Sequence, residues 1–196
     1  MSLADRPELT FADSDTFAAW LAQKAPDGVW IRMARKGHPG LTYAQALDEA
    51  LCWGWIDGQK RSGDETSWWQ YFAPRKAGSI WSQINRGHIA RLTTEGRMRP
   101  EGMAAVEAAK ASGEWDRAYQ AQSNQEVPAE LQQALDASPA AAAFFATLKG
   151  QNRFAFVFRV ATAKKAETRV KRAAEFVAMM ERGELFYPSS AKAPKT

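Results

Sequence analysis

Hydrophobic residues recur at helical spacing in one early stretch, alternate in the next, and return to helical spacing in a third. SDTFAAWLAQKAPDG (14–28) predicts a first helix, capped by Ser14 or Asp15. VWIRMARK (29–36) alternates apolar and polar positions and predicts a strand with one side toward a core. A capping box at Thr42 begins a second helix over YAQALDEALCW.

Turn residues then mark a change of element. Gly54 stands where a helix would end in a left-handed residue. WIDGQKR and SWWQYFAPR flank SGDET and predict a hairpin. Beyond PRKAG the spacing is helical, and Ser79 is predicted to cap IWSQINRGHIARLTTEG. The inner stripe predicted for that helix is Ile80, Trp81, Ile84, His88 and Leu92.

The C-terminal third shows one ambiguous segment. In NRFAFVFRVATAKK, Phe154, Phe156 and Phe158 alternate as in a strand, while Val157 and Ala161 also complete a helical pattern. We predict a helix, because lysines at its end suit a helix C-terminus. A last helix follows over AETRVKRAAEFVAMMERG, and its predicted inner positions are Val170, Ala173, Val177 and Met180.

These elements predict an α+β fold: a small N-terminal antiparallel or mixed sheet with packed helices, followed by an all-helical C-terminal half. The predicted domains are an N-terminal α+β domain (1–125), a C-terminal helical region (126–186) and a flexible tail (187–196).

Composition narrows the class of protein. The chain has 196 residues, 45% of them hydrophobic, and no apolar run long enough for a membrane span. One cysteine and a start (MSLADRPELTF) without a secretory pattern predict a cytoplasmic protein. Net charge is +4, and blocks 1–31, 32–99, 100–150 and 151–196 carry −3, +5, −4 and +6. This uneven charge favours an anionic or acidic partner, but it is too mild for a dedicated nucleic-acid binder.

Cys52 is a candidate nucleophile, since it lies beside two tryptophans and carboxylates in EALCWGWIDGQK. A reactive thiolate needs a nearby base, and the sequence offers only His38 and His88. A lone cysteine near a helix end is more often a small buried side chain. The histidine and cysteine spacing matches no metal site, and no phosphate loop or cofactor motif occurs.

Tryptophans, basic residues and carboxylates cluster in CWGWIDGQK and WWQYFAPRKAGSIWSQIN. We predict a pocket with aromatic walls, in which a helix beginning at Ser79 and its basic neighbours favour an anion. The alternative is that the tryptophans fill a core and Arg75 pairs with Asp57. The candidate ligand-binding residues are Glu49, Cys52, Trp55, Asp57, Trp69, Arg75, Lys76, Ser79 and Trp81.

A second basic run lies near the C-terminus and is the best candidate for binding nucleic acid. Lys164, Lys165, Arg169 and Arg172 form this patch, but no aromatic side chain is interleaved at its exposed positions. A charge run of this kind is typical of a solvated helix face.

Several of these motifs resemble one bacterial family. LTYAQALDEALCWGWIDGQKRS, FAPRKAGSIWSQIN and EGRMRPEGMAAVEAAKASGEWD are similar to the YdeI/OmpD-associated, or bacteriocin-protection, proteins, whose usual form has Phe in place of Trp53. SPAAAAFFATLKGQNRFAFVFRVATAKKAETRVKRAAEFVAMMERGE resembles the helical OmdA-type region of that family. The resemblance implies a link to tolerance of bacteriocins or cationic antimicrobial peptides and to an outer-membrane porin, without a catalytic mechanism.

The combined expectation is a stress-protection or bacteriocin-protection protein that binds a small anionic ligand or a protein partner in a Trp-lined pocket. No cofactor is expected. A cryptic enzyme using Cys52 or Asp57 and a weak nucleic-acid binder remain as alternatives.

Overall fold

The computed structural model describes residues 2–23, 27–120 and 126–188. The chain divides into two compact units, Met1–Ala118 and Tyr119–Thr196. The domain boundary predicted at residue 125 and most of the tail predicted over 187–196 lie outside the described residues.

The N-terminal unit contains a four-stranded mixed sheet. Its strands are β1 (Glu8–Leu9), β2 (Val29–Ala34), β3 (Trp55–Ser62) and β4 (Ser67–Pro74), in the order β1-β2-β4-β3. β1 pairs with β2 in parallel, while β4 is antiparallel to both of its neighbours. The predicted hairpin is therefore confirmed, and the two-residue β1 was not foreseen.

Four α-helices complete the described part of this unit: α1 (Ser14–Leu21), α2 (Tyr43–Cys52), α3 (Gln83–Thr94) and α4 (Pro100–Ala111). The capping box predicted at Thr42 is present.

Two predicted helix caps are wrong. Asp13, not Ser14 or Asp15, caps α1 by accepting from the Thr16 backbone N–H at 2.9 Å. Ser82, not Ser79, caps α3 by accepting from the Asn85 N–H at 3.0 Å.

The later start of α3 also rotates its buried face relative to the prediction. Asn85, Ile89 and Leu92 point inward, whereas Ile84 is 53% exposed. Ile80 and Trp81 precede the helix and do not belong to its stripe.

The helices and the sheet enclose two hydrophobic clusters. One lies on the inner face of the sheet and includes Phe17, Ile31, Met33, Trp55 and Phe72. The other lies among α2, α3 and α4 and is formed by Leu47, Leu51, Cys52, Trp81, Ile89, Leu92, Val106, Ala109 and Ala118. Burial of these apolar surfaces is the main stabilising contribution in the unit.

A bulge in β3 changes which side chains face the helices. Asp57 pairs with Phe72, but the register shifts so that Lys60 pairs with Gln70. The nearly buried Gln70 amide donates to the carbonyl oxygens of Gly58 and Gln59 at 2.8 and 3.2 Å. The extra residue thus places Lys60, rather than Arg61, on the inner face of the sheet.

The C-terminal unit is helical in all its described elements: α5 (Ala129–Asp136), α6 (Pro139–Thr147), α7 (Gly150–Ala161) and α8 (Ala166–Glu181). The helix predicted over the ambiguous phenylalanine segment is confirmed as α7, and the α+β fold class is confirmed for the chain.

The core of this unit draws on all four helices. Phe156 is fully buried and packs against Phe176 and Phe186, with ring centroids 5.6 and 4.7 Å away. On α8 the buried positions are Ala173, Phe176 and Met180. Val170, predicted to point inward, is 58% exposed.

Candidate functional site

The segment between β4 and α3 is a tight turn rather than the start of a helix. The Arg75 backbone N–H donates to the Gly54 carbonyl oxygen at 2.9 Å, which fixes one end of the turn. The Lys76 N–H donates to the Ser79 hydroxyl at 3.0 Å, and the Ser79 N–H donates to the Lys76 carbonyl oxygen at 3.0 Å. Gly78 adopts a φ of 79°, which a glycine tolerates best. Ser79 therefore closes a turn instead of capping a helix.

Arg75 and Trp81 stack against each other across this turn. The Arg75 guanidinium carbon lies 3.5 Å from the centroid of the Trp81 indole, within the range of a cation–π interaction. A guanidinium Nη1 of Arg75 also donates to the Ile80 carbonyl oxygen at 3.3 Å. Trp81 is 2% exposed and meets Trp115 edge to face at 4.8 Å. The tryptophan thus holds the arginine head group in a defined place.

A cleft of about 190 Å³ lies between this turn and α4. Arg75, Lys76, Ser79 and Trp81 line one side of it. The α4 side consists of small residues followed by a serine and a carboxylate: Ala105, Ala108, Ala109, Ser112 and Glu114. We call this space the Arg75 cleft.

The Arg75 cleft is lined by two cationic side chains and one carboxylate. Glu114 is 4% exposed, and the Arg117 guanidinium lies 2.6 Å from its carboxylate, so that this negative charge is compensated. Lys76 is exposed at the rim, and Arg75 adds a second cation. A small anion with a short apolar part fits such a lining, because the alanines offer an apolar surface beside the two cations.

Sequence reasoning missed the α4 side of the cleft. The sequence does contain a pattern that identifies this helix face. Small residues recur there at three- and four-residue spacing: Ala105, Ala108, Ala109 and Ser112. Such a stripe of small residues is read first as close helix packing, and nothing in the sequence indicates that it faces the turn after β4.

The other predicted pocket residues lie elsewhere in the unit. Trp55 is 6% exposed and packs edge to face on Trp20 in the inner-face cluster. Asp57 accepts a hydrogen bond from the Tyr43 hydroxyl at 2.9 Å, so the alternative pairing of Asp57 with Arg75 is not what the structure shows. None of these residues lines the Arg75 cleft.

Glu49 and Trp69 are both engaged with arginines. The Arg97 guanidinium donates to the Glu49 carboxylate at 2.5 Å. On the outer face of the sheet, the Arg61 guanidinium lies 5.1 Å from the Trp69 ring centroid and 4.7 Å from that of Trp30. The structure therefore brings four of the nine predicted residues together and distributes the other five.

Cys52 has the properties of a buried structural side chain. It is 1% exposed at the end of α2. Burial, reinforced by the nearby Glu49 carboxylate, raises the pKa of the thiol to about 11. A thiol with this pKa is protonated at neutral pH and is a poor nucleophile, which argues against the cysteine-based enzyme.

Two glycines near Cys52 account for the structural role of the CWGW motif. Gly54 has a φ of 74° and ends α2. A Cβ atom on Gly102 of α4 would lie 2.2 Å from the Cys52 carbonyl oxygen, and the Arg99 N–H donates to that same oxygen at 3.1 Å. The motif is a helix end on which α4 packs closely, and its residues have structural roles.

The predicted C-terminal basic patch is smaller than the sequence indicates. The Arg169 Nε donates to the Glu130 carboxylate at 2.6 Å, and the Arg172 Nη1 donates to the Arg159 carbonyl oxygen at 2.5 Å. Both arginines are half-buried in these contacts, which leaves Lys164 and Lys165 as the exposed cations of the set. Two neighbouring lysines make a weak footprint for nucleic acid.

Within the described residues, no group of three or more His, Cys, Asp or Glu side chains is arranged to hold a metal ion. Over the same residues, no helix combines the length and the apolar character needed to cross a membrane.

Two known family models match the chain, and the boundary between their matches falls near the boundary between the two structural units. Residues 124–183 match the family model described as "Bacteriocin-protection, YdeI or OmpD-Associated" (OmdA). The matched segment lies within the C-terminal unit, which therefore carries an OmdA-type domain. The resemblance read from SPAAAAFFATLKG and the following helices is thereby confirmed. Residues 9–105, which include the CWGWIDG and APRKAGS motifs, match a domain of unknown function (DUF8412).

The curated proteins and the solved structures provide no match to the chain. The OmdA match accordingly associates the C-terminal segment with bacteriocin-protection proteins. The chemistry of the N-terminal unit depends on its own side chains.

Proposed function

We propose that the protein is a cytoplasmic protection factor, associated with bacteriocin defence through its OmdA domain, that binds a small anion in the Arg75 cleft. The observation that carries the proposal is the stacked pair of Arg75 and Trp81, 3.5 Å apart, beside Lys76 and an alanine-lined helix face. The role is binding rather than thiol chemistry, because the thiol is buried and protonated.

The size of the cleft limits the ligand. A volume of about 190 Å³ corresponds to about six water molecules at about 30 Å³ each. A short-chain carboxylate satisfies this limit and the lining, with its carboxylate toward Arg75 and Lys76 and its alkyl part over Ala105 and Ala108. A planar guanidinium held in place by an indole suits two-point contact with a carboxylate.

Thermal unfolding with a panel of sodium carboxylates of increasing chain length, from acetate to hexanoate, tests the proposal. Saturating ligand at 100 times its Kd stabilises a protein by about 2.7 kcal/mol, which raises Tm by several degrees at this chain length. Chloride at equal ionic strength is the reference.

Two variants make the test specific to the cleft. Ala108→Leu places a larger side chain in the cleft and should abolish the shift in Tm, and Lys76→Gln should reduce it. Ala104→Leu is the matched control, because Ala104 is also exposed on α4 but does not line the cleft. Absence of any shift in the wild type, or an equal shift in Ala108→Leu, would overturn the proposal.

A further inference from the structure

A second cleft lies at the end of the sheet near the β3–β4 loop. It encloses about 390 Å³ and is lined by Arg35, Lys60, Arg61, Ser62 and Trp68. This volume is twice that of the Arg75 cleft and lies within the range of sites for small molecules, about 300–1,000 Å³. We call it the Trp68 cleft.

The β-bulge brings Lys60 to the same face of the sheet as the Trp68 indole. Met33, Trp68 and Ser62 are cross-strand neighbours and therefore point to one face of the sheet. The register shift adds Lys60 to the same face, two residues before Ser62. Met33 is fully buried, whereas Trp68 remains partly exposed, with Tyr43 beside it at 5.7 Å between ring centroids. The indole thus forms a floor with one accessible side.

Two of the three cations that line the cleft, Arg35 and Lys60, are not paired with carboxylates among the described residues. Arg35 donates through Nε to the Asp64 backbone oxygen at 3.1 Å, and neither it nor Lys60 has an ion pair among the described residues. The Asp64 carboxylate is engaged elsewhere, by Arg32 at 2.5 Å and by Thr66 and Ser67. Arg61 pairs with Glu8 and stacks on the outer face, so its charge is already compensated.

We infer that the Trp68 cleft binds a small phosphomonoester carrying a planar ring, which is the chemistry of a nucleoside monophosphate. The ring stacks on the Trp68 indole, as bases stack on aromatic side chains in other proteins. Arg35 and Lys60 bind the phosphate, and the Ser62 hydroxyl donates to it. This site is separate from the Arg75 cleft, with which it has no lining residue in common.

Titration calorimetry with adenosine monophosphate measures the affinity of the wild-type protein, and ¹⁵N-labelled tryptophan locates the site. Binding should shift the Trp68 indole N–H resonance and leave that of Trp81 unchanged. Adenosine and ribose 5-phosphate, which carry the ring or the phosphate alone, should each bind at least tenfold more weakly, since each keeps only half of the contacts. Inorganic phosphate is the reference for a bare anion.

Charge-removing variants complete the test. Arg35→Gln and Lys60→Gln should each weaken nucleotide binding about tenfold, the effect of losing one charge-assisted hydrogen bond. Lys36→Gln removes the same charge one residue away, outside the cleft, and should leave the affinity within twofold. Trp68→Phe retains an aromatic floor and should retain binding.

Four results would overturn the inference: no saturable binding of the nucleotide, equal affinity for inorganic phosphate, equal weakening in Lys36→Gln, or a shift of the Trp81 resonance instead of that of Trp68. The last result would place the nucleotide in the Arg75 cleft. A failure of nucleotide binding would not affect the test of the Arg75 cleft, because that test uses carboxylates and measures the shift in Tm.

Discussion

The two units of this chain are built from different side chains. All eight tryptophans occur between residues 20 and 115, whereas the C-terminal unit packs leucine, alanine and phenylalanine from four helices. Both clefts described above lie in the N-terminal unit, and each places basic side chains beside an indole. The bacteriocin-protection description belongs instead to the C-terminal unit.

The two units therefore differ in the chemistry that their side chains can support. A family assignment carried by one unit does not describe the chemistry of the other, because a site depends on its own side chains and not on a neighbouring fold. The aromatic and basic residues of the N-terminal unit carry the ligand binding that we propose. The C-terminal unit uses its arginines in contacts with Glu130 and with backbone carbonyl oxygens, which stabilise the helices.

Truncation of a buried phenylalanine in each unit has the largest expected effect and tests whether the two units unfold independently. Phe156→Ala should destabilise the C-terminal unit, and Phe72→Ala the N-terminal unit, by about 3–5 kcal/mol each, because both rings are fully buried. Urea unfolding followed by tryptophan fluorescence reports only the N-terminal unit, while far-UV circular dichroism reports both.

Phe156→Ala should therefore move a transition seen by circular dichroism and leave the fluorescence transition in place. Phe72→Ala should move the fluorescence transition. If the fluorescence and circular dichroism transitions shift together in either variant, the two units unfold as one, which would contradict their separation.

A glycine pair tests the close packing specific to the N-terminal unit. Gly102→Ala should destabilise it by about 1–3 kcal/mol, because the new Cβ would lie 2.2 Å from the Cys52 carbonyl oxygen and α4 would have to move. Gly87→Ala is the matched control in α3, where a Cβ meets nothing within 4 Å. It should stabilise the unit by about 0.5–1 kcal/mol through helix propensity. Fluorescence-detected urea unfolding gives both values, and equal signs would contradict this account of the CWGW motif.

Local signals in the sequence were sufficient for most elements. The capping box at Thr42, the left-handed Gly54 and the hairpin around SGDET act within a few residues, so they could be predicted without knowledge of the fold. The predicted start of α3 was wrong because Ser79 and Ser82 both offer a hydroxyl that could cap the helix. In the structure Ser79 closes a turn that Gly78 favours, and Ser82 caps the helix. No rule of local spacing decides between the two serines.

The candidate sites depended on longer-range placement. Arg75, Lys76, Ser79 and Trp81 are neighbours in sequence, and their clustering was predictable. Trp55, Asp57 and Trp69 are predicted to line the same pocket because tryptophans and charged residues cluster in the sequence, whereas packing and pairing place them elsewhere. The bulge that moves Lys60 to the inner face accepts hydrogen bonds from the Gln70 amide, a cross-strand contact that the β3 sequence alone does not reveal.

The smallest expected effect concerns the ion pair between Glu130 on α5 and Arg169 on α8. The hydrogen bond from Arg169 lowers the pKa of the Glu130 carboxyl below its ordinary value of 4.5. A folded-state pKa below the unfolded value adds stability above pH 4.5, and this contribution is lost as the pH falls through the folded-state pKa. Both side chains are partly exposed, so the pair contributes about 0.5–1 kcal/mol at neutral pH.

Glu130→Gln should therefore destabilise the C-terminal unit by about 0.5–1 kcal/mol at pH 7, and the difference from wild type should shrink steadily below pH 4.5. Urea unfolding followed by circular dichroism at several pH values measures it. Glu175→Gln is the control, since Glu175 and Lys171 are 3.9 Å apart and both exposed, and it should change stability by less than about 0.3 kcal/mol. A pH-independent loss in Glu130→Gln would show that the contact acts through packing, and it would weaken the contrast between an arginine-stabilised helical unit and a unit whose cations face open clefts.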